Sequence, residues 1–277
     1  MENNIGERLS EKEYREIKDI VYNTIGVDLT KNKKPLIVSR LSRRIRYLGL
    51  HSFTDYIYYL KGNEQEMEQL YNSITTNVTH FFREERQFDF LVNEYLPAEH
   101  QRLKEKKKIR VWSAACSTGE EPYTLAILLK EFFANNDIKI QILASDINTD
   151  VLRFAEKGIY TQEKVKKISY NLLKKYFRLG TGENQGLFNV KDNLKSMIQF
   201  KQINLMDNNY PLKSPVDIIF CRNVFIYFNE ETRDRILNKF YKYMNEKGLL
   251  FLGHSEKIHQ NYDNHWQIIK SNIYKKI

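Results

Sequence analysis

Cysteine is almost absent from this chain of 277 residues, which carries only Cys116 and Cys221. Two thiols cannot frame a chain of this length, so the fold is not a disulfide scaffold, and a reducing compartment is expected. Apolar runs are short as well. None approaches the roughly 18–20 residues that a membrane-spanning helix needs. The opening MENNIGERLSEKEYREIK is polar and carries acids, unlike a secretory signal peptide. A cytoplasmic protein with no direct membrane insertion is the expectation. Glycine is scarce in the middle of the chain, where Gly119 stands alone between Gly62 and Gly158. Any nucleotide-cradling turn in that stretch must be built around it. Acids are outnumbered, 35 against 44 basic residues, for a net charge of +9. The excess suits an anionic partner (nucleic acid, a membrane surface or an acidic protein) and equally a plain solvated surface.

Hydrophobic residues at 42% and charged residues at 29% fit a globular protein, and the length fits two small domains or one large one. Residues 1–75 read as all-α. Tyr14, Ile17, Val21 and Ile25 recur at helical spacing before a stop at Gly26. Pro35 opens a second helix that runs to Gly49. Ser52 and Asp55 suggest a capping box ahead of a third, closed by Gly62, and a fourth covers about 64–74. A further helix, about 84–96, is expected to end at Pro97, with RLKEKKKIR (102–110) as a solvated connector. From there strands alternate with helices. IRVWSA (109–114), IQILAS (140–145), VDIIFC (216–221) and GLLFLG (248–253) alternate with helices near 121–134, 149–157 and 230–245, the rhythm of a parallel sheet covered on both faces. The stretch 175–203, with LFNV and MIQFKQI, reads as a small antiparallel insert.

Three strand ends are chemically loaded, and strand ends are where open α/β sheets hold ligands. After the first comes Ala114-Ala115-Cys116-Ser117-Thr118-Gly119-Glu120-Glu121-Pro122-Tyr123. Small residues and one glycine would admit a ligand close to the backbone, while two acids at a helix start argue against a phosphate; those acids could also simply complement the helix dipole. After the second strand, Asp146 suits ribose hydroxyls, or else caps the next helix. After VDIIFC comes Arg222-Asn223-Val224-Phe225-Ile226-Tyr227-Phe228, polar groups then aromatics. A ribose-binding acid without a glycine-rich pyrophosphate loop suggests a nucleoside lacking phosphates, and S-adenosylmethionine fits that description.

Thr75-Thr76-Asn77-Val78-Thr79-His80-Phe81-Phe82-Arg83-Glu84, read with SAACSTGEEPYTLA, ASDIN, IFCRNVFIYF and GLLFLGHSE, closely resembles the CheR family of bacterial chemotaxis-receptor methyltransferases. The resemblance spans nearly the whole chain. It implies an S-adenosylmethionine-dependent (Rossmann-like) doubly wound sheet with a β-insert, preceded by an all-α domain at 1–75 and a cofactor-covering segment and linker at 76–108, with the methyltransferase domain at 109–277. It implies cofactor contacts from Asn77, Thr79, Arg83, Glu121, Asp146, Asn204, Leu205, Arg222 and Asn223, with Glu121 preferred over Glu120 because it directly precedes Pro-Tyr. S-adenosylhomocysteine would be the product. The substrates implied are glutamate-rich helices of methyl-accepting chemotaxis receptors, with the insert as a dock for a receptor C-terminal peptide. No metal, no nucleic-acid partner and a monomer are expected.

A glutamate carboxylate is already ionised at neutral pH, so its methylation needs no general base. Arg83 and Tyr227 are the candidates for orienting it, and His80 and His254 read as structural. Arg40, Arg43 and Arg44 fall on one helix face with Arg46 beside it, a basic stripe suited to an acidic substrate helix. A nucleic-acid methyltransferase is disfavoured, because no Asn/Asp-Pro-Pro-aromatic motif follows the VDIIFC strand and no Pro-Cys nucleophile exists. A cofactor-binding adaptor without activity would have the same composition, but its motifs need not be intact.

Overall fold

The computed structural model describes residues 9–29, 33–258 and 265–277. Four helices build the first domain: α1 (Glu11–Ile25), α2 (Lys34–Tyr47), α3 (Phe53–Leu60) and α4 (Glu64–Ile74). Their ends follow local chemistry. Ser10 and Glu13 cap α1 reciprocally, and Gly26 ends it at φ +73°. Ser52 accepts from the Asp55 amide at the start of α3, and Asn63 accepts from the Glu66 amide at the start of α4. Tyr14, Ile17, Val21 and Ile25 all point into a core shared with Leu41, Phe53 and Leu70.

The expected stop at Pro97 does not occur. Helix α5 (Glu85–Phe90) passes through a π-turn at Leu91–Tyr95 into α6 (Leu96–Lys106) without leaving the helical path. In a regular helix the Pro97 ring would meet the carbonyl four residues back, and the wider turn makes room for it. The lysine-rich connector is therefore partly helical, and Leu103 within it is fully buried.

A seven-stranded sheet follows, made of β1 (Lys108–Ala114), β2 (Lys139–Asp146), β6 (Ile198–Gln202), β7 (Val216–Cys221), β8 (Met244–Leu252), β9 (Trp266–Lys270) and β10 (Ile273–Lys276). Its order is β6-β2-β1-β7-β8-β10-β9. The first five strands run parallel, and β10 and β9 add antiparallel. Helices α7 (Glu120–Phe132), α8 (Thr149–Lys157) and α12 (Glu230–Tyr243) provide the crossovers. Val111, Ile218, Phe220 and Phe251 are buried on one face of the sheet. Trp112, Ile219 and Leu250 are buried on the other, as expected when both faces are covered.

The insert differs from expectation in extent. Strands β3 (Ile159–Thr161), β4 (Phe177–Leu179) and β5 (Leu187–Val190) form a separate antiparallel sheet in the order β3-β5-β4. Short helices α9 (Gln162–Val165), α10 (Tyr170–Tyr176) and α11 (Asp192–Lys195) accompany it. MIQFKQI does not belong to it. That segment is β6, the parallel edge of the main sheet, and its alternating exposure is what an edge strand shares with an antiparallel one.

Candidate functional site

Strand order turns between β1 and β7, because β1 continues in sequence to β2 on its other side. The carboxyl ends of these strands floor a cavity of about 1070 Å³, its open mouth included. At the end of β1 the chain bends through Ala115 and Ser117, both in left-handed conformation at φ +60° and +51°. The bend aims the Ser117 amide at Asp146 Oδ2 (2.8 Å), and Asn148 N donates to Asp146 Oδ1 (3.0 Å). Each carboxylate oxygen thus accepts one amide and keeps acceptor capacity on the cavity side. Burial raises this carboxyl above the usual value, and the amide hydrogen bonds act in the opposite sense.

Gly119 serves another purpose than ligand approach. At φ +92°, a Cβ there would lie 2.7 Å from Ala155 Cβ and 2.9 Å from the Tyr160 hydroxyl. The residue lets α7 pack against α8 and the insert, and it does not line the cavity. The adjacent acids divide similarly. Glu120, fully buried, pairs with Lys164 of the insert at 2.6 Å. Glu121 lines the cavity, accepting from Ser113 Oγ (2.6 Å) and from Arg222 Nε (2.7 Å).

Arg222 is the hub of the far wall. Besides Glu121, its Nη1 donates to the Arg83 carbonyl (2.7 Å) and to Gln87 Oε1 (2.9 Å), and the guanidinium lies 5.1 Å from the Phe88 ring centre. Next in sequence, Asn223 takes a left-handed conformation at φ +60°, and its amide group donates to Glu84 Oε1 (3.2 Å).

The segment after α4 roofs the cavity. Asn77 presents its carbonyl to Ser117 Oγ (3.0 Å), and Arg83 Nη1 donates to the Val78 carbonyl (2.7 Å). Thr75 is held by Asn148 Nδ2 at 2.8 Å. The helical domain closes a third side. Asn204 Nδ2 donates to the Thr24 carbonyl (2.7 Å), Asp28 N donates to the Tyr227 carbonyl (2.8 Å), and Lys33 Nζ sits 4.2 Å above the centre of the Tyr227 ring. Burial, with Arg40 nearby, pushes Lys33 below the ordinary lysine value.

Asn77, Thr79, Arg83, Glu121, Asp146, Asn204, Leu205, Arg222, Asn223 and Tyr227 all line this one cavity. His80 and His254 do not. The four arginines of α2 lie elsewhere and divide two and two. Arg40 donates to the carbonyls of Ser73 and Thr75, both at 2.9 Å. Arg44 makes a bidentate pair with buried Glu66 at 3.0 and 2.7 Å, which also accepts from the Tyr56 hydroxyl at 2.9 Å. Arg43 and Arg46 are exposed to solvent, whereas Arg40 and Arg44 are half-buried and engaged within the helical domain.

Sequence reasoning missed several contributors. Lys33 and Ser117 line the cavity, and Gln87, Glu84 and Glu256 support its walls from behind. Gln87 and Lys33 carry no local signal. Glu84 lies inside the Asn-x-Thr segment and Glu256 in the GLLFLGHSE stretch, both of which carry the family resemblance.

The residues suit S-adenosylmethionine. Asp146 offers acceptors of the kind a diol needs, and Glu121 sets a carboxylate on the cavity wall. Comparison with known proteins agrees. Residues 77–275 match the family model for the CheR methyltransferase S-adenosylmethionine-binding domain, and residues 12–75 match the CheR all-α domain. A chemotaxis protein methyltransferase of Borreliella burgdorferi is 43% identical over 265 residues, covering 93% of this chain and 92% of that protein. A second chemotaxis protein methyltransferase, from Escherichia coli, is 40% identical over 250 residues, covering 90% of this chain and 85% of the other. Chemotaxis protein methyltransferase 2 of Pseudomonas aeruginosa is 39% identical over 245 residues, 88% of this chain and 86% of its own length. With S-adenosylmethionine as its cofactor, this chain belongs to the CheR family of chemotaxis methyltransferases.

Proposed function

We propose that the protein esterifies glutamate side chains on the cytoplasmic helices of methyl-accepting chemotaxis receptors. The observation that carries this reading is the state of the carboxylates in the cavity wall. Glu121 is tied to Arg222 and Ser113, and Asp146 to two backbone amides. No histidine lines the cavity among the described residues. A wall without a free base serves a nucleophile that arrives ionised, as a glutamate does.

S-adenosylmethionine, when bound, supplies an electrophilic methyl group. The protein's part is to place the two reactants in line and to exclude water, and such positioning is worth up to about 7–11 kcal/mol in favourable cases. Asp146 and Glu121 would hold the ribose and amino-acid ends, while Asn204 and Leu205 would border the base. Arg83, Tyr227 and Lys33 line the cavity and would orient an incoming carboxylate. Arg43 and Arg46 would draw in an acidic receptor helix, and the three-stranded insert is the candidate dock for a receptor C-terminal peptide. The helical domain would thus recognise substrate while the segment 76–108 covers the cofactor.

The test is incubation of the purified protein with radiolabelled S-adenosylmethionine and receptor-containing membranes, followed by mild alkali. Label on the receptor that leaves as methanol is the expected result. Label that resists alkali, or that resides on nucleic acid, would refute the proposal.

A further inference from the structure

The Gly-His-Ser-Glu turn after β8 (253–256) lies outside the cavity, yet it touches the loop that carries Asn223 and Tyr227 at several points. Glu256 is 3% exposed. Its Oε2 accepts from the amides of Asn223 (2.9 Å) and Gly253 (2.5 Å), and its Oε1 accepts from the amide of Ile226 (3.3 Å). One buried carboxylate therefore holds the chain at both ends of the stretch from Asn223 to Ile226, immediately before Tyr227. The Asn223 end has little reason to stay put by itself. A non-glycine residue in the left-handed region is an uncommon conformation that surrounding structure must enforce.

Gly253 makes the arrangement possible. A Cβ there would stand 2.7 Å from Asn223 N, from Asn223 Nδ2 and from Glu256 Oε2 alike. The Asn272 side chain clamps the same turn from β10's leading end by donating to the Gly253 carbonyl (2.8 Å) and to the Glu256 carbonyl. Burial of so many polar groups around one carboxylate is costly unless each is satisfied. Burial pushes the Glu256 carboxyl above its usual value and the backbone amides that point at it act in the opposite sense, through hydrogen bonds that a neutral amide side chain could not all replace.

We propose that Glu256 is a positioning residue for the methyl transfer, fixing Asn223 against the cofactor and the Phe225–Tyr227 turn at the mouth of the cavity. This rests on the assignment of Asn223 and Tyr227 to the reacting site. Glu256→Gln retains the volume but turns one acceptor into a donor facing an amide.

The experiment uses the full chain and has three readouts: thermal unfolding and, well below the unfolding temperature, S-adenosylhomocysteine affinity by calorimetry and initial rates of receptor methylation. E256Q is expected to lower kcat at least tenfold and to weaken S-adenosylhomocysteine at least threefold while the protein remains folded. Gly253→Ala, which keeps the carboxylate's charge but presses a methyl group against both it and Asn223, should reproduce both changes, and it carries the test if E256Q does not fold. A folded variant with a lowered unfolding temperature but unchanged affinity and kcat would make Glu256 merely structural and overturn the proposal. If the wild type methylates no receptor, the functional reading fails, while the calorimetric comparison still decides the role of Glu256.

Discussion

Arg222→Met would remove the cation that binds the far wall together while keeping an apolar stem of similar length. The wild-type guanidinium is 3% exposed as a side chain and pairs with Glu121, itself 10% exposed. It also serves the Arg83 carbonyl and Gln87. Without it, Glu121 keeps only the Ser113 hydroxyl, so a nearly buried carboxylate loses its counter-charge. Breaking such a pair from one side costs about 3–5 kcal/mol. For a chain of this size each kcal/mol corresponds to about 2–4 °C, so the unfolding temperature should fall by about 6–20 °C. The substitution frees Glu121 from its orientation and the 83–87 segment from the floor, so S-adenosylhomocysteine should bind at least tenfold more weakly. Calorimetric unfolding with and without S-adenosylhomocysteine reads both effects. Arg222→Met with Glu121→Gln should be less damaging than the sum of the single changes, by about 1–3 kcal/mol, because the residues are in contact. A loss below about 1 kcal/mol with unchanged affinity would mean that the network neither stabilises the wall nor shapes the site.

Other outcomes follow from the same geometry. Arg83→Ala should cut the methylation rate at least tenfold with little change in fold, as checked by initial rates beside a thermal melt; a variant that methylates normally would remove Arg83 from the reaction. Arg43→Glu with Arg46→Glu should raise the KM for receptor several-fold and leave S-adenosylhomocysteine affinity intact. Arg44→Ala should instead cost about 3 kcal/mol of stability, because it strands Glu66 in the helical core; urea unfolding separates the two. At Asp146 the folded-state pKa is raised by burial, so its contribution to stability is fully present below the ordinary aspartate pKa and is lost as pH rises through the raised value. The stability of the ligand-free wild type relative to Asp146→Asn should therefore improve as pH falls from 7 toward 4, a trend that melts across that range would reveal or deny.

Much of this was written locally. The three- and four-residue spacing of Tyr14, Ile17, Val21 and Ile25 is a helix wherever it is placed, and Asp146 ends a strand whose apolar run predicts burial. Three of the family motifs fell on cavity-lining positions because they follow strand ends, and strand ends meet at the switch in strand order, whereas the Asn-x-Thr segment reaches the same cavity from the end of α4. What local pattern could not show depends on partners distant in sequence. Arg40 and Arg44 look like surface charges until Ser73, Thr75 and Glu66 fold against them. An edge strand such as β6 alternates as a member of an antiparallel insert would, and only its pairing with β2 tells them apart. Pro97 reads as a stop unless the π-turn before it is known. The short C-terminal strands β9 and β10 are not legible in the sequence because strand content there is set by pairing, β10 with β8 and β9 with β10, rather than by a strong apolar run.

The division of labour between Glu120 and Glu121 limits how this scaffold can be recombined. One acid reaches the cofactor wall and its neighbour reaches Lys164 in the three-stranded module, so the module is electrically keyed to the loop beneath it. A chimera that exchanges the module for another must bring a cation to the place of Lys164 or neutralise Glu120. Otherwise a fully buried charge is left stranded one residue from Glu121, and the graft would damage catalysis without touching a single cavity residue.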